Sequence, residues 1–319
     1  MRLLVLGGTS FVGRAVVTDA LAHGLDVMLF GRGRTGRELF PQVPRLLGDR
    51  GTGDYAALAG GRWDAVVDVS AYVPRHVEEA GAALEGHDGR YLLVSTISVY
   101  DPARAAPQLA EDAPRLPAER GTEAVTPETY GALKVACEDD VRARYGDAAT
   151  VVRPGIVAGP HDPTDRFTYW VRRAARGGRM ALPGRPEQPV QVVDSRDLAR
   201  LVTGLLVDDR PGTYDAVGPA EPVTLAGLAA ACAEAAGTRV ELVRVAPGAA
   251  AVPLVLGDPA ADPLFGRRAD RARAAGLTGT PLVQTARDVL SWDRDRAEPP
   301  LAVGPTPEQE AALLRAAQR

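Results

Sequence analysis

Tyr130 and Lys134 lie four residues apart in the run Tyr-Gly-Ala-Leu-Lys. On a helix such positions share a face, so a phenol and an ammonium can converge on one point. A free phenol with a pKa near about 10 is a poor proton carrier at neutral pH. A neighbouring cation favours the phenolate and moves that pKa toward a useful range, and the pair reads as acid–base machinery. Lys134 is also the single lysine among 37 basic residues, all the others being arginine, and the chain contains no asparagine. Where nearly every cation has become arginine, a retained ammonium marks a place that a broad planar guanidinium cannot fill. With eight tyrosines in 319 positions, a lone lysine falls four after one of them by chance about once in forty.

Three further groups bear on the same chemistry. Gly7-Gly8-Thr9-Ser10-Phe11-Val12-Gly13 follows an apolar run and opens a helical one; small residues there let the backbone approach a pyrophosphate, which rests on the unpaired N–H groups of the helix start. Ser10 stands where a middle glycine is usual, giving Gly-x-x-Ser-x-x-Gly from Gly7 to Gly13. About twenty residues on, a carboxylate would take the ribose 2′-hydroxyl of NAD, whereas an arginine accommodates the 2′-phosphate of NADP. The chain there reads Leu29-Phe30-Gly31-Arg32-Gly33-Arg34, with no acid. The expectation is NADP, with NAD the alternative, Arg32 the first choice for the phosphate and Arg34 the second. Val94-Ser95-Thr96-Ile97-Ser98 ends another apolar run, where a hydroxyl can hold a substrate oxygen at the ligand crevice of an open α/β sheet; a capping or turn role suits such a cluster equally.

The elements that must position these groups alternate. Leu3 to Leu6, Asp26 to Phe30, Ala65 to Val69, Tyr91 to Ser95 and Thr150 to Val152 read as buried strands. Val12 to His23, His76 to Leu84 and Glu128 to Tyr145 read as helices. Strand and helix taking turns, with strands this apolar, predict an α/β fold with a doubly wound parallel (Rossmann) sheet covered on both faces. Regularity weakens beyond about Gly155, which predicts a smaller, discontinuous C-terminal substrate lobe. The expected division is 1–155 plus about 190–212 for the dinucleotide-binding domain, with about 156–189 plus 213–319 for the other lobe. Val190 to Val193 marks the return to the first, followed by Asp194 and Asp197 as helix caps. Thr306-Pro307-Glu308-Gln309 is a capping-box pattern and predicts a final helix to about Ala317.

Composition bounds the rest. At 33.5 kDa, 45% hydrophobic and 24% charged, the chain can bury a proper core and matches neither disorder nor a fibrous repeat. A net charge of −4 offers no cationic field for phosphate backbones, so no nucleic-acid partner is expected. Cys137 and Cys232 are too few for a disulfide framework and match no metal-ligand spacing. The apolar run at the N-terminus is shorter than a signal-peptide core, and no stretch of membrane-spanning length occurs. The expectation is a cytoplasmic protein with no membrane contact.

Taken in order, these motifs resemble the short-chain dehydrogenase/reductase superfamily, in its extended branch of NAD-dependent epimerase/dehydratase-like proteins. The match spans about the first 215 residues and includes Arg153-Pro154 leading to Gly159-Pro160. The resemblance implies hydride transfer at a nicotinamide, with Tyr130 as general acid and base. It implies that Lys134 lowers the Tyr130 pKa and binds the nicotinamide ribose, and that Thr96 orients the reacting oxygen. It also implies adenine contacts at Asp49 and Arg50, and further cofactor contacts at Ser70, Ala71, Pro154 and Ile156 beside those of Gly7, Thr9 to Gly13, Tyr130 and Lys134. Ile97 and Ser98 stand where sugar-nucleotide dehydratases carry an Asp-Glu pair, so dehydration of that type is disfavoured. Ile156 and Val157 stand where many sugar-nucleotide enzymes place an asparagine, which tells against a nucleotide-sugar substrate. Ser98, His161 and Arg166 are the substrate-binding candidates; in the blander reading, Asp165 caps a helix whose Phe167 and Trp170 are core. The proline-rich stretch from Asp101 to Pro127 is either pocket wall or surface loop. The expected activity is interconversion of a carbonyl and an alcohol on a small-molecule substrate. An epimerase or isomerase with no net redox change and a non-catalytic RNA-binding relative are the alternatives. A homodimer through the Tyr130 helix is common in the family.

Overall fold

The computed structural model describes every residue except 87, 88, 107, 108, 220, 221 and 319. The first half builds β1 (Arg2–Leu6), α1 (Phe11–Ala22), β2 (Asp26–Gly31), β3 (Arg45–Leu47), β4 (Ala65–Asp68), α2 (Pro74–Ala83), β5 (Arg90–Val94), α3 (Tyr130–Tyr145) and β6 (Ala149–Pro154). There follow β7 (Ile156–Ala158), α4 (Arg166–Ala175), β8 (Gly178–Leu182), β9 (Pro189–Val190), β10 (Val192–Asp194), α5 (Ser195–Val207) and β11 (Gly212–Ala216). The chain closes with β12 (Val223–Thr224), α6 (Leu225–Ala236), β13 (Val240–Arg244), α7 (Asp270–Ala274), α8 (Leu282–Asp295) and α9 (Pro307–Ala316). No described helix is long and apolar enough to cross a membrane.

Seven strands form one sheet in the order β11-β6-β5-β4-β1-β2-β3, every neighbouring pair parallel. Successive side chains of a strand point to opposite faces, and β1 shows the result. Leu3 and Val5 pack with α1 and α5, whereas Leu4 and Leu6 pack with α2 and α3. Both faces are therefore dry, and an uninterrupted apolar run is what such a strand requires. The strand order reverses between β1 and β4, and the crevice of an open sheet forms at that switch point, beyond the carboxyl ends of the strands. Gly7, Val69, Ser95 and Pro154 all emerge there.

A second core, centred on Phe167, Trp170, Met180, Leu182, Leu228 and Val289, is assembled by α4, α6 and α8 with the short strand pairs β7–β10, β8–β13 and β9–β12. Phe167 and Trp170 are thus core. Asp165 takes the N-cap position in a left-handed conformation without capping through its side chain; its carboxylate pairs with Arg296 at 2.7 Å instead. Asp194 does cap α5, accepting from the Arg196 N–H, whereas Asp197 lies inside the helix and accepts from Thr278 and Thr280. The Thr306–Gln309 capping box is complete.

The expected lobe boundary at 212 falls one strand early. β11 pairs in parallel with β6 and completes the sheet, and Ala269, Ala272 and Leu277 return to pack in the first core. The reading of 213–319 as wholly second-lobe is corrected accordingly. α3 also begins at Tyr130, not Glu128, because Thr126 and Thr129 tie the preceding residues into a turn: Thr129 Oγ1 accepts from the Thr126 N–H and donates to the Ala124 carbonyl.

Candidate active site

A cavity of about 1230 Å³ opens at the carboxyl ends of β1, β2, β4, β5 and β6. Its floor is the Gly7–Gly13 turn. A Cβ on Gly13 would stand 2.1 Å from the Gly7 carbonyl oxygen, so only glycine lets α1 start this close to the turn. The Ser10 side chain makes no capping bond, which leaves the helix start open to an anion. Arg32 and Arg34 stand exposed along one wall. Arg34 forms an exposed ion pair with Asp49 at 3.7 Å.

Asp49 and Arg50 both border the cavity, yet Arg50 is turned inward. Its Nη atoms donate to both Asp68 carboxylate oxygens at 2.6 and 2.7 Å, to Ser70 Oγ at 2.8 Å and to the His76 carbonyl at 2.8 Å, and its Nε reaches the Tyr55 hydroxyl at 3.2 Å. All five guanidinium N–H donors are engaged, so a contact of Arg50 with adenine falls to its backbone and side-chain stem rather than to its N–H groups. Burial works against a charge at Asp68, but Arg50, with the Tyr91 hydroxyl and the Ser70 N–H, holds its carboxyl below the usual range. What Arg50 does is pin Ser70, whose hydroxyl also donates to the Leu6 carbonyl at 3.2 Å.

Tyr130, Lys134 and Thr96 line the same cavity. Tyr130 opens α3, and Lys134 lies one turn on, only 3% exposed. The Lys134 ammonium donates to the carbonyls of Ala71 at 2.7 Å and Val94 at 2.9 Å, so it ties the β4 loop to the end of β5. Ala71, Pro154 and Ile156 line the same space. Thr96 lies close enough to the Tyr130 phenol to favour its ionised form; its Oγ1 donates to Ser98 Oγ at 3.2 Å and accepts from the Ser98 N–H at 3.1 Å. Burial raises the Tyr130 pKa, offset by the Thr96 hydroxyl and the Arg166 charge. The expectation that Lys134 depresses it is not met in this state: the ammonium is held on two carbonyls, and desolvation dominates.

The closeness of Thr96 and Tyr130 has a backbone cause. A Cβ on Gly131 would come within 2.1 Å of the Ser98 carbonyl oxygen, so α3 rests directly on the 96–98 turn. Glu138, two helical turns along α3 from Tyr130, accepts from Ser95 Oγ at 2.7 Å and from Arg153 at 2.6 and 2.8 Å. Arg153 also donates to the Tyr100 hydroxyl at 2.7 Å, which itself donates to Asp215 at 2.6 Å. This buried network fixes the helix against β5, β6 and β11.

Of the substrate candidates, Ser98 and Arg166 line the cavity and His161 does not. His161 packs edge-on against Trp292 and meets Arg14 through Nδ1 at 3.4 Å, so its role as a substrate ligand is corrected. Sequence reasoning missed Tyr72, Asp162, Leu264, Phe265 and Arg267, all of which border the cavity. Tyr72 follows Ser70-Ala71 at a strand end, a legible signal; residues 264–267 arrive from far along the chain, which no local pattern announces. Tyr100, Pro102, Leu116 and Pro127 also face the cavity, so the proline-rich stretch supplies pocket wall; its residues 107 and 108 lie outside the described residues.

A family model described as NAD dependent epimerase/dehydratase family matches residues 3–216. The chloroplast stem-loop binding protein of 41 kDa b of Arabidopsis thaliana is 25% identical over 253 residues, covering 74% of this chain and 63% of that protein. The chain thus spans less than two thirds of this curated relative's length. Among solved structures, UDP-N-acetylglucosamine 4-epimerase from Bacillus cereus matches with a TM-score of 0.70 at 16% identity, over 92% of this chain and 96% of that one. The Thermus thermophilus UDP-glucose 4-epimerase, in complex with NAD, matches at 0.62 and 21% identity, over 92% and 99%. Likeness at these identities is a likeness of fold.

Proposed function

Because the chain belongs to the NAD dependent epimerase/dehydratase family, we propose that it is an NADP(H)-dependent oxidoreductase interconverting a carbonyl and an alcohol on a small metabolite. The observation that carries this reading is that Tyr130, Thr96 and the buried Lys134 line one cavity floored by the glycine turn.

The residues fit a dinucleotide. Gly7 to Gly13 would hold its pyrophosphate at the start of α1, which Gly13 lets sit directly on the Gly7 carbonyl. Exposed Arg32 and Arg34 would take a 2′-phosphate, Asp49 would lie along the adenosine, and the third Lys134 N–H remains for a ribose hydroxyl. When bound, the nicotinamide supplies or accepts hydride. In the reductive direction Thr96 holds the carbonyl oxygen and Tyr130 donates its phenolic proton to it; in the oxidative direction the phenolate takes that proton back. Lys134 holds the Ala71 and Val94 carbonyls, and with them both walls of the site, in register.

Carbonyl-compound screening by NADPH absorbance, followed by Tyr130→Phe, tests the reading. Loss of at least about 100-fold in kcat is expected, and near-wild-type turnover would remove the proposed acid. A tighter Kd for NAD than for NADP would overturn the cofactor preference. The family's epimerases favour a second reading, transient hydride transfer with no net redox change; cofactor that copurifies, with no NADPH consumed as product forms, would establish it instead.

A further inference from the structure

The outer half of the cavity has a composition that the proton chemistry does not explain. Tyr72 is an aromatic ring left 46% exposed, its centroid 6.4 Å from that of Tyr130 and tilted by 41°. It is not free to swing with its loop. Ser70 is pinned by Arg50, the Ala71 carbonyl is held by Lys134, and the Tyr72 N–H meets His76 Nδ1 at 3.4 Å. Ile97, Leu116, Leu264 and Phe265 also line the cavity and add apolar surface to it, Ile97 and Leu116 resting on the cores behind them.

The charges of this half are almost all answered from within. Arg267 lies against Asp215 at 3.1 Å and donates to the Ala110 carbonyl. Both Asp162 oxygens accept from the Thr164 hydroxyl, and the exposed Glu128 accepts from Thr126 Oγ1. Arg166 differs. Its Nε donates to Thr164 Oγ1 at 3.0 Å, and among the described residues no carboxylate lies within ion-pair distance of it, although it borders the cavity close enough to act on Tyr130. Arg166 thus offers one cation without a carboxylate partner among the described residues, which suits a ligand with a single anionic group.

Resting on the hydride-transfer reading, we propose that the substrate is a small carbonyl compound with a flat apolar body and a single anionic group, Tyr72 packing on the body and Arg166 pairing the anion. Burying an aromatic body on such a wall adds affinity that does not depend on charge, whereas an Arg–carboxylate pair adds a component that a neutral ester cannot collect.

Titration calorimetry with benzoylformate, its methyl ester and UDP-glucose, each with and without NADP, measures this without turnover. A null in binding is thereby separable from failure of the hydride reading, which NADPH absorbance reports. Benzoylformate is expected to bind at least about tenfold more tightly than its ester. Arg166→Gln should abolish that difference without changing the ester's Kd, and Arg166→Lys should restore part of it. Tyr72→Ala should weaken acid and ester by a similar factor of about ten, and Tyr72→Phe should weaken neither. Equal affinity for acid and ester, an Arg166→Gln variant indistinguishable from wild type, no binding of either aryl probe at millimolar concentration, or tighter binding of UDP-glucose than of benzoylformate would each overturn the proposal.

Discussion

A phenol whose pKa is raised by burial keeps its proton through neutrality, and this sets the pH behaviour of the two directions apart. In the proposed reaction reduction needs Tyr130 protonated, a form fully present below the raised pKa, so kcat/KM for reduction should stay flat across neutral pH and fall only on the alkaline side. Oxidation needs the phenolate, so its kcat/KM should climb about tenfold per pH unit up to the same pKa. Thr96→Val removes the hydroxyl that favours the phenolate, and the oxidative profile should move to higher pH. A profile already flat near neutral in the oxidative direction would show that Lys134 reaches the phenol once ligands are in place. The Tyr130–Lys134 pair was legible because one lysine stood out among arginines. That Lys134 binds the Ala71 and Val94 carbonyls was not, because those acceptors belong to the backbone and carry no residue signature.

The turn at Thr96 and the start of α3 behave as one element because Gly131 has no side chain. Gly131→Ala should push the helix off the Ser98 carbonyl, cost about 1–3 kcal/mol by overpacking and separate the Thr96 hydroxyl from the phenol. Urea unfolding would report the first effect and kcat the second; an alanine variant with unchanged kcat would mean that the contact does not set the geometry. From sequence, a glycine one residue into a helix reads only as a weak helix former, so its packing reason becomes visible only once the partner strand is in place. β1, β2, β4, β5 and β6 were legible to within a residue or two, since burial on both faces writes an uninterrupted apolar run; the sheet-edge strands β3 and β11 were not. The start of α3 was misplaced because Thr126 and Thr129 take the preceding residues into side-chain bonded turns.

Across the whole molecule the second core is closed by the last helix. Glu310 on α9 accepts from Arg173 Nε at 2.6 Å, from Arg176 at 2.8 Å and from the Ala181 N–H at 3.1 Å, and Arg173 is only 5% exposed. Glu310→Ala would strand a buried guanidinium, at an expected cost of about 3–5 kcal/mol. Differential scanning calorimetry should show that loss, whereas Glu308→Ala, on an exposed position of the same turn, should leave Tm unchanged. The capping box announced this helix, but nothing local announced that its acid would serve α4. The misplaced boundary at 212 has the same origin: β11 joins the sheet through pairing with a strand some sixty residues earlier, and short range patterns do not carry such pairings.

With its one ε-amine held between a loop carbonyl and a strand-end carbonyl, the protein is a natural blank for acylating reagents. N-hydroxysuccinimide esters should leave Lys134 unmodified in the folded chain and acylate it only when denaturant exposes it. Intact mass spectrometry would then count, adduct by adduct, how often the reaction chamber opens, with no engineered label.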